Sequence, residues 1–131
     1  MKYLIDTGVW IWLLAEPEKL SRAVLQKFHG DKEELFLSAA SVWEMAIKWS
    51  KGKLTLPEPP ATHVPSRMLK LGVRPLPISQ QHALAVAILP AHHHDPFDRL
   101  LIAQAQMENM TLITADREFE KYSVKLLWAG R

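Results

Sequence analysis

The segment MKYLIDTGVWIWLL (residues 1–14) decides the fold, because a single carboxylate stands in it between two apolar runs. Tyr3, Leu4 and Ile5 are typical of a short buried strand, and residues 9–14 are apolar again. A carboxylate buried between such runs costs several kcal/mol or more unless something pairs with it. Asp6 is therefore predicted to end a strand and to face either a helix end or a cation.

Short apolar strands alternate with helical segments along the rest of the chain. Further strands are predicted at ELFLS (34–38), VRPLPI (73–78), TLIT (111–114) and SVKLL (123–127). Helices are predicted at 9–15, 21–28, 39–52, 66–71, 79–88 and 95–109, and the proline-rich residues 54–67 are interpreted as a surface connection. This alternation predicts an α/β fold with a parallel sheet covered on both faces. No linker or internal repeat divides the sequence, so we interpret residues 1–131 as a single domain.

The composition is that of an ordinary globular protein. The net charge is only +2, which permits a nucleic-acid partner without requiring one. Cysteine is absent, which excludes a disulfide framework and a thiolate metal site. No apolar run approaches the roughly 20 residues that span a bilayer, and Asp6 interrupts any signal-peptide core. We therefore expect no membrane association and a cytoplasmic location.

Two acids follow predicted strands. Ligands of parallel sheets bind outside the carboxyl ends of the strands, and Asp6 and Asp116 both belong at that edge. Glu44 is harder to place, because the periodicity of its helix gives a simple alternative. In that interpretation Glu44 is on the polar side and pairs with Lys48 at i,i+4. The buried face would then be Ala39, Val42, Trp43, Ala46 and Trp49.

The segment DPFDR (95–99) is a helix start. Asp95 at the N-cap and Pro96 at the first helical position fully explain one acid. Asp98 is explained less well, because helical spacing places it on the side of Leu101 and Ile102, which faces protein. An acid in that position needs a cation or several hydrogen-bond donors.

Electrostatic repulsion would destabilise the fold if the four acids came together. These acids are Asp6, Glu44, Asp98 and Asp116. Four carboxylates about 6 Å apart make six repulsive pairs of roughly 3 kcal/mol each at an effective dielectric of about 20. A total of order 15 kcal/mol exceeds the stability of a typical domain, so protonation, basic side chains or metal ions must relieve it. Oxygen-only ligands suit Mg²⁺ or Mn²⁺, whose chemistry would be phosphodiester hydrolysis.

The chain resembles a PIN domain of the VapC toxin type in four segments that occur in the family's order. These are LIDTGVWIWLL (4–14), LSAASVWEMAIKWSKGKL (37–54), DPFDRLLIAQA (95–105) and LITADREFEKY (112–122). The resemblance implies a three-layer α/β/α domain with a central parallel sheet of about five strands. It also implies an Mg²⁺- or Mn²⁺-dependent endoribonuclease that acts on RNA, pairs with a VapB-type antitoxin and forms a homodimer.

The resemblance also implies roles for particular residues. It places the four family acids, in order, at Asp6, Glu44, Asp98 and Asp116. The first three would hold one metal ion, and Asp116 would contribute to the same ion or to a second. Asp95 would cap its helix or support a ligand, and Thr7 and Thr114 would orient carboxylates.

Basic residues near the motifs are candidates for contacts with RNA phosphates. The three histidines at 92–94 are interpreted as a surface loop, in which His93 is the one expected to approach the acids or the RNA. Lys48, Lys51, Lys53 and Arg99 could rim the site. Arg99 is the strongest of these candidates because it follows the third acid.

The tryptophans suggest base stacking, but core packing is the simpler interpretation for Trp43. Trp10 and Trp12 cannot both face the same side of one helix. The exposed part of VWIWLL (9–14) is therefore our expected partner surface.

Three other functions are alternatives to a toxin nuclease. A phosphatase of the haloacid dehalogenase class needs a second acid two positions after the first, where this chain has Gly8. A response-regulator receiver wants paired acids at the first strand and a lysine after the last, and neither is in place. An RNA-processing nuclease or a non-catalytic RNA-binding module with the same fold, outside any toxin–antitoxin system, stays open.

Overall fold

The computed structural model of the protein describes residues 1–30 and 33–131. The strands are β1 (Lys2–Ile5), β2 (Glu34–Ser38), β3 (Val73–Leu76), β4 (Thr111–Thr114) and β5 (Leu126–Trp128). The α-helices are α1 (Thr7–Ala15), α2 (Arg22–His29), α3 (Ala39–Ser50), α4 (Pro60–Leu71), α5 (Gln80–Ala85) and α6 (Pro96–Met107). Short 3₁₀ turns occupy Pro17–Lys19, Val86–Ile88 and Arg117–Lys121.

The five strands form one sheet in the order β3-β2-β1-β4-β5, and every neighbouring pair is parallel. In the central register Tyr3 lies opposite Leu35 on one side and Thr111 on the other. The chain therefore builds outward from β1 in one direction through β2 and β3, then returns to place β4 and β5 on the other side. The point at which the order reverses lies between β1 and β4, where ligand sites of open parallel sheets are found.

Helices cover both faces of the sheet, and the alternation of strand residues supplies a core on each side. Tyr3 and Ile5 enter one core and Leu4 enters the other. The first core takes a buried side chain from each of four helices, namely Trp10, Val24, Met45 and Val64. The second core is built against α6 through Leu101 and Ile102. The predicted three-layer α/β/α architecture with about five parallel strands is confirmed.

Several of the predicted element boundaries were wrong, among them the start of α4, the position of the last strand and the end of α3. The segment taken as a surface connection is already helical from Pro60, because Pro59 stands at the N-cap and Pro60 at the first turn, where no N–H is needed. Pro65 lies inside this helix, which buries Val64 against the first core. The last strand lies later than predicted, at Leu126–Trp128.

The third boundary is the end of α3. This helix stops at Ser50, two residues before the predicted end, and Gly52 takes a left-handed conformation with φ of 71°. A glycine adopts this conformation without the steric cost that a Cβ imposes, so it suits the turn that follows the helix.

Across residues 1–30 and 33–131, the structure contains no helix with the length and apolarity needed to cross a membrane.

Candidate active site

An open cavity of about 520 Å³ lies at the carboxyl edge of the sheet, and five acidic side chains line it. We call it the acidic cavity. Its acids are Asp6, Glu44, Asp95, Asp98 and Asp116. Asp6 follows β1 and Asp116 follows β4 by two residues, so they flank the point at which the strand order reverses. The structure thus brings together all four acids that the sequence singled out, along with the neighbouring Asp95.

Asp6 is buried, with only 8% of the residue exposed, and one hydroxyl fixes its carboxylate. Thr114 Oγ1 donates to Asp6 Oδ2 at 2.7 Å and accepts from the backbone N–H of Asp116 at 3.0 Å. Thr114 therefore connects the first and fourth acids directly, which is an orienting contact of the kind expected from the sequence.

Burial is the main cause that raises the pKa of Asp6 from its ordinary value of 3.8 to about 6. The hydrogen bonds from Thr114 and from the main chain of Thr7 lower this pKa, whereas the charges of Glu44 and Asp116 raise it.

Glu44 faces the sheet edge rather than solvent, which overturns the predicted orientation of α3. Only 7% of Glu44 is exposed, whereas Trp43 is 58% exposed and packs its ring edge-on against Phe97. The face of α3 that is buried is therefore Ala40, Ser41, Glu44 and Met45. Core packing was the wrong interpretation of Trp43. Trp43 and Trp49 are exposed on this helix, whereas Val42 of the same predicted stripe is partly buried against the first core.

The i,i+4 pair of Glu44 with Lys48 does form, and it forms within the acidic cavity. Lys48 Nζ lies 2.8 Å from Glu44 Oε2, and this hydrogen bond raises the pKa of the lysine. The other oxygen, Oε1, is buried and has no hydrogen-bond partner among the residues that the structure describes. A buried, unpartnered carboxylate oxygen needs a ligand, because its desolvation is otherwise uncompensated.

Ser41 is a buried residue of this site that the sequence analysis missed. Thr7 does not touch an acid through its side chain; its Oγ1 donates to Ser41 Oγ at 2.8 Å and ties α1 to α3 beside Glu44. The signal was available, because Ser41 stands three residues before Glu44 and therefore shares the buried face of α3 with it.

The start of α6 forms the opposite wall of the acidic cavity. Asp95 caps the helix, because its Oδ1 accepts from the backbone N–H groups of Phe97 at 2.8 Å and of Asp98 at 3.1 Å. Asp98 lies one turn further on, and its Oδ2 is 3.0 Å from His93 Nε2. Burial, followed by the charges of Asp6, Asp95, Glu44 and Asp116, raises the pKa of Asp98 from 3.8 to about 8.

Arg99 does not reach the acidic cavity, so its predicted contact with RNA phosphate is not supported. Its guanidinium donates to the carbonyl oxygens of Val86, Leu89, Pro90 and His93 and to the Tyr122 hydroxyl. Arg99 thus organises the loop before α6. Among the lysines considered, Lys48 lines the acidic cavity, whereas Lys51 and Lys53 are exposed outside it.

The two tryptophans of α1 point in different directions, as the sequence required. Trp10 is fully buried in the first core, whereas Trp12 is half-buried and lines the acidic cavity. A larger apolar surface lies elsewhere, in a groove between α3, α4 and β3. We call this groove the α3–α4 apolar face, and its lining includes Val42, Ala46, Pro65, Met68, Leu69 and Pro75.

Comparison with known proteins agrees with this geometry. A family model described as "PIN domain" matches residues 3–125. The chain is 32% identical over 121 residues to Ribonuclease VapC22 of Mycobacterium tuberculosis (strain ATCC 25618 / H37Rv), covering 91% of this chain and 90% of that protein. It is 41% identical over 70 residues to Ribonuclease VapC16 of the same organism, a match that spans 53% of this chain and only 48% of VapC16.

Solved structures show the same fold. VapBC2 from Rickettsia felis, bound to a DNA fragment from its promoter, superposes with a TM-score of 0.75 at 14% identity over 98% of this chain and 99% of that one. VapBC-1 from nontypeable Haemophilus influenzae superposes with a TM-score of 0.69 at 18% identity over 97% of each chain.

Proposed function

The chain belongs to the PIN domain family, and from that premise we propose that it is a metal-dependent endoribonuclease, the toxin of a VapBC-type toxin–antitoxin pair. We further propose that residues 1–131 form a single PIN domain. The observation that carries the proposal is the acidic cavity itself: five carboxylates line one opening at the sheet edge, and a buried Glu44 oxygen there has no hydrogen-bond partner among the described residues. Without a cation that arrangement is costly, because the carboxylates repel one another and are partly removed from water.

The residues present suit a hard divalent cation, Mg²⁺ or Mn²⁺. The acids offer only oxygen, which is the ligand type that these ions prefer. We assign Asp6, Glu44 and Asp98 as the residues that hold the ion. Asp116 is the weaker candidate, because its side chain is 40% exposed and its Oδ1 already caps the turn that begins at Arg117. When bound, the ion would neutralise the acids, activate water and stabilise charge on the phosphoryl group.

The chain's own residues position these groups. Thr114 holds the Asp6 carboxylate, Asp95 fixes the first turn of α6 that presents Asp98, and the Thr7–Ser41 hydrogen bond holds α3 against α1. Rigid support of this kind is what fixes catalytic groups in a productive geometry.

We propose that two residues at the wall of the acidic cavity contact the RNA. Lys48 is half-exposed, and its ammonium can contact a phosphate while it stays close to Glu44. Trp12 presents a half-buried ring on which an unpaired base can stack. Neither contact reads sequence, so we propose single-stranded RNA as the substrate class without a defined target.

Partners follow from the relatives and from the surface. The structural neighbours are VapBC complexes, and we propose that this chain likewise binds a VapB-like antitoxin and forms a homodimer. The α3–α4 apolar face is an exposed apolar surface, which is typical of protein interfaces. We therefore propose this face, rather than residues 9–14, as the partner surface.

The decisive experiment incubates purified protein with total RNA in Mg²⁺ and, separately, in EDTA. We expect the wild type to cleave RNA only with Mg²⁺ and Asp98→Ala to be inactive in both. Glu18→Gln, which changes an exposed acid outside the acidic cavity, is the matched control and should cleave like the wild type. Cleavage by Asp98→Ala at the wild-type rate would refute the assignment.

The toxin role needs a second measurement in cells. Expression of the wild type should arrest growth, and co-expression of the cognate antitoxin should reverse the arrest. Nuclease activity without growth arrest would favour an RNA-processing enzyme of the same fold.

A further inference from the structure

His93 is held rigidly beside the acidic cavity by contacts on three sides. Its backbone N–H donates to the Tyr122 hydroxyl at 2.7 Å, and its carbonyl oxygen accepts from Arg99 Nη1 at 3.4 Å. Its ring nitrogen Nδ1 accepts from the backbone N–H of Asp95 at 3.2 Å. The ring also packs edge-on against Phe119, with centroids 5.9 Å apart. Its orientation is therefore fixed by the protein rather than by solvent.

The other ring nitrogen, Nε2, lies between two of the acids. It is 3.2 Å from Asp116 Oδ2, with which it forms a hydrogen bond, and 3.0 Å from Asp98 Oδ2. These three groups all lie within 4.8 Å of one another, which is close enough for them to share one metal ion. His93 is thus either a nitrogen ligand or a hydrogen-bond donor to its neighbours.

The contact on Nδ1 decides between these roles. A neutral imidazole carries one proton, and an Nδ1 that accepts a hydrogen bond leaves that proton on Nε2. A metal ion bound to Nε2 would require the proton to lie on Nδ1. The Nδ1–H would then face the Asp95 N–H, and two donors cannot form a hydrogen bond with each other. The surroundings of His93 therefore favour the tautomer in which Nε2–H faces the acids.

We propose that His93 is a positioning residue, whose Nε2–H donates to Asp116 and lies against Asp98, and that it is not a ligand of the divalent ion. The contacts of His93 do not depend on the proposed function, but their consequence for the metal site rests on that function. It keeps the ligand set all-oxygen, which favours Mg²⁺ and Mn²⁺; an imidazole ligand would instead suit Zn²⁺. It also gives one of the three histidines at 92–94 a defined role.

The first test reads the tautomer directly, without any activity measurement. Long-range ¹H–¹⁵N correlation spectra of the metal-free protein at pH 8 distinguish the two nitrogens, and loss of one set of signals in His93→Gln assigns the residue. His82 is an internal reference, because its Nδ1 accepts from the Ser79 N–H at 3.0 Å and its Nε2 lies 2.9 Å from Glu108. We expect His93 to show the Nε2–H pattern both before and after Mg²⁺ is added. An Nδ1–H pattern in either state would overturn the proposal.

The second test separates the two ring nitrogens by substitution. His93→Gln can still place an N–H near the acids but loses the contact with Asp95, whereas His93→Asn retains an acceptor for Asp95 and cannot reach the acids. We expect His93→Asn to weaken Mn²⁺ binding, measured by calorimetry, by about 10-fold or more, and His93→Gln to stay close to the wild type. His94→Gln, at an exposed neighbouring position, is the control and should not change the affinity.

Thermal unfolding in EDTA verifies that each variant is folded. Equal losses in His93→Gln and His93→Asn, or wild-type affinity in both, would contradict the donor role. Because neither test measures RNA cleavage, failure of the nuclease assignment would be visible separately.

Discussion

Replacing Asp98 by asparagine should stabilise the metal-free protein at neutral and alkaline pH. Asp98 is surrounded by four other acids, and burial followed by their charges raises its pKa to about 8. An acid whose pKa is higher in the folded than in the unfolded state destabilises the fold once the pH exceeds its unfolded pKa. The penalty is absent below about pH 4, grows as the pH rises, and levels off above about pH 8.

The size of the effect follows from the shift. At pH 8, about 4 pH units above the ordinary pKa of 3.8, roughly 1.4 kcal/mol for each unit gives an upper limit of about 5 kcal/mol. Solvent in the open mouth of the acidic cavity screens part of this. We therefore expect a net gain of about 2 kcal/mol at pH 8, with no gain at pH 4.

Urea unfolding in EDTA at pH 4, 6 and 8 measures this directly. The wild type and Asp98→Asn are compared with Glu18→Gln, an exposed acid outside the acidic cavity that should show no such pH dependence. The slopes of the unfolding transitions must agree for the comparison to hold. Equal stability of Asp98→Asn and wild type at pH 8, or a gain of the same size at pH 4, would refute the reasoning.

Three further predictions concern the same site and its surroundings. Thr114→Val should slow RNA cleavage and cost about 1–3 kcal/mol in urea unfolding, because it removes the donor to Asp6 and strands the Asp116 N–H; unchanged stability would show that neither bond matters. Asp6→Asn should weaken Mn²⁺ binding in calorimetry more than Asp116→Asn does, since Asp6 is buried whereas the Asp116 side chain is 40% exposed, and the reverse order would contradict the ligand assignment. Leu69→Glu, at a residue that is 86% exposed, should convert a homodimer into a monomer by light scattering while circular dichroism stays native, and a persistent dimer would exclude the α3–α4 apolar face as the interface.

The parts of the site that the sequence predicted are those set by a local rule. Asp6 and Asp116 could be placed because each lies within two residues of the end of a short apolar strand, and parallel strands end at a common edge. Asp95 could be recognised as a cap because the following Pro96 marks the first helical position. These inferences need only the order of elements, and the order was correct.

The orientation of α3 could not be obtained in this way. The helix has apolar residues on two sides, and hydrophobic periodicity cannot distinguish a core face from an exposed apolar face. Helical spacing places five apolar residues on the side with Trp43, and this spacing predicted that side as the buried one. The structure buries the side with Glu44 instead. Burial of a carboxylate there is unfavourable for packing, which indicates that Glu44 serves the site.

The loop before α6 was also beyond sequence reasoning. The position of Arg99 next to the third acid predicts a contact with phosphate, yet its donors are taken by main-chain carbonyl oxygens and Tyr122. Tyr122 is 29 residues from His93 in the chain and has no pattern that connects the two. Contacts of this type depend on the path of a loop in three dimensions, which no periodicity encodes.

Repulsion among the acids of this cavity lowers the stability of the metal-free protein and raises its affinity for a cation. In the unfolded chain Asp6, Glu44 and Asp98 are far apart in sequence and repel little, so their repulsion arises only when the sheet forms. A cation binds the folded state alone and relieves that repulsion, which adds to its own binding free energy. A substitution that removes one acid should therefore raise stability in EDTA and reduce the stabilisation that Mg²⁺ provides, whereas the reverse pattern would mean that the acids do not act on the ion.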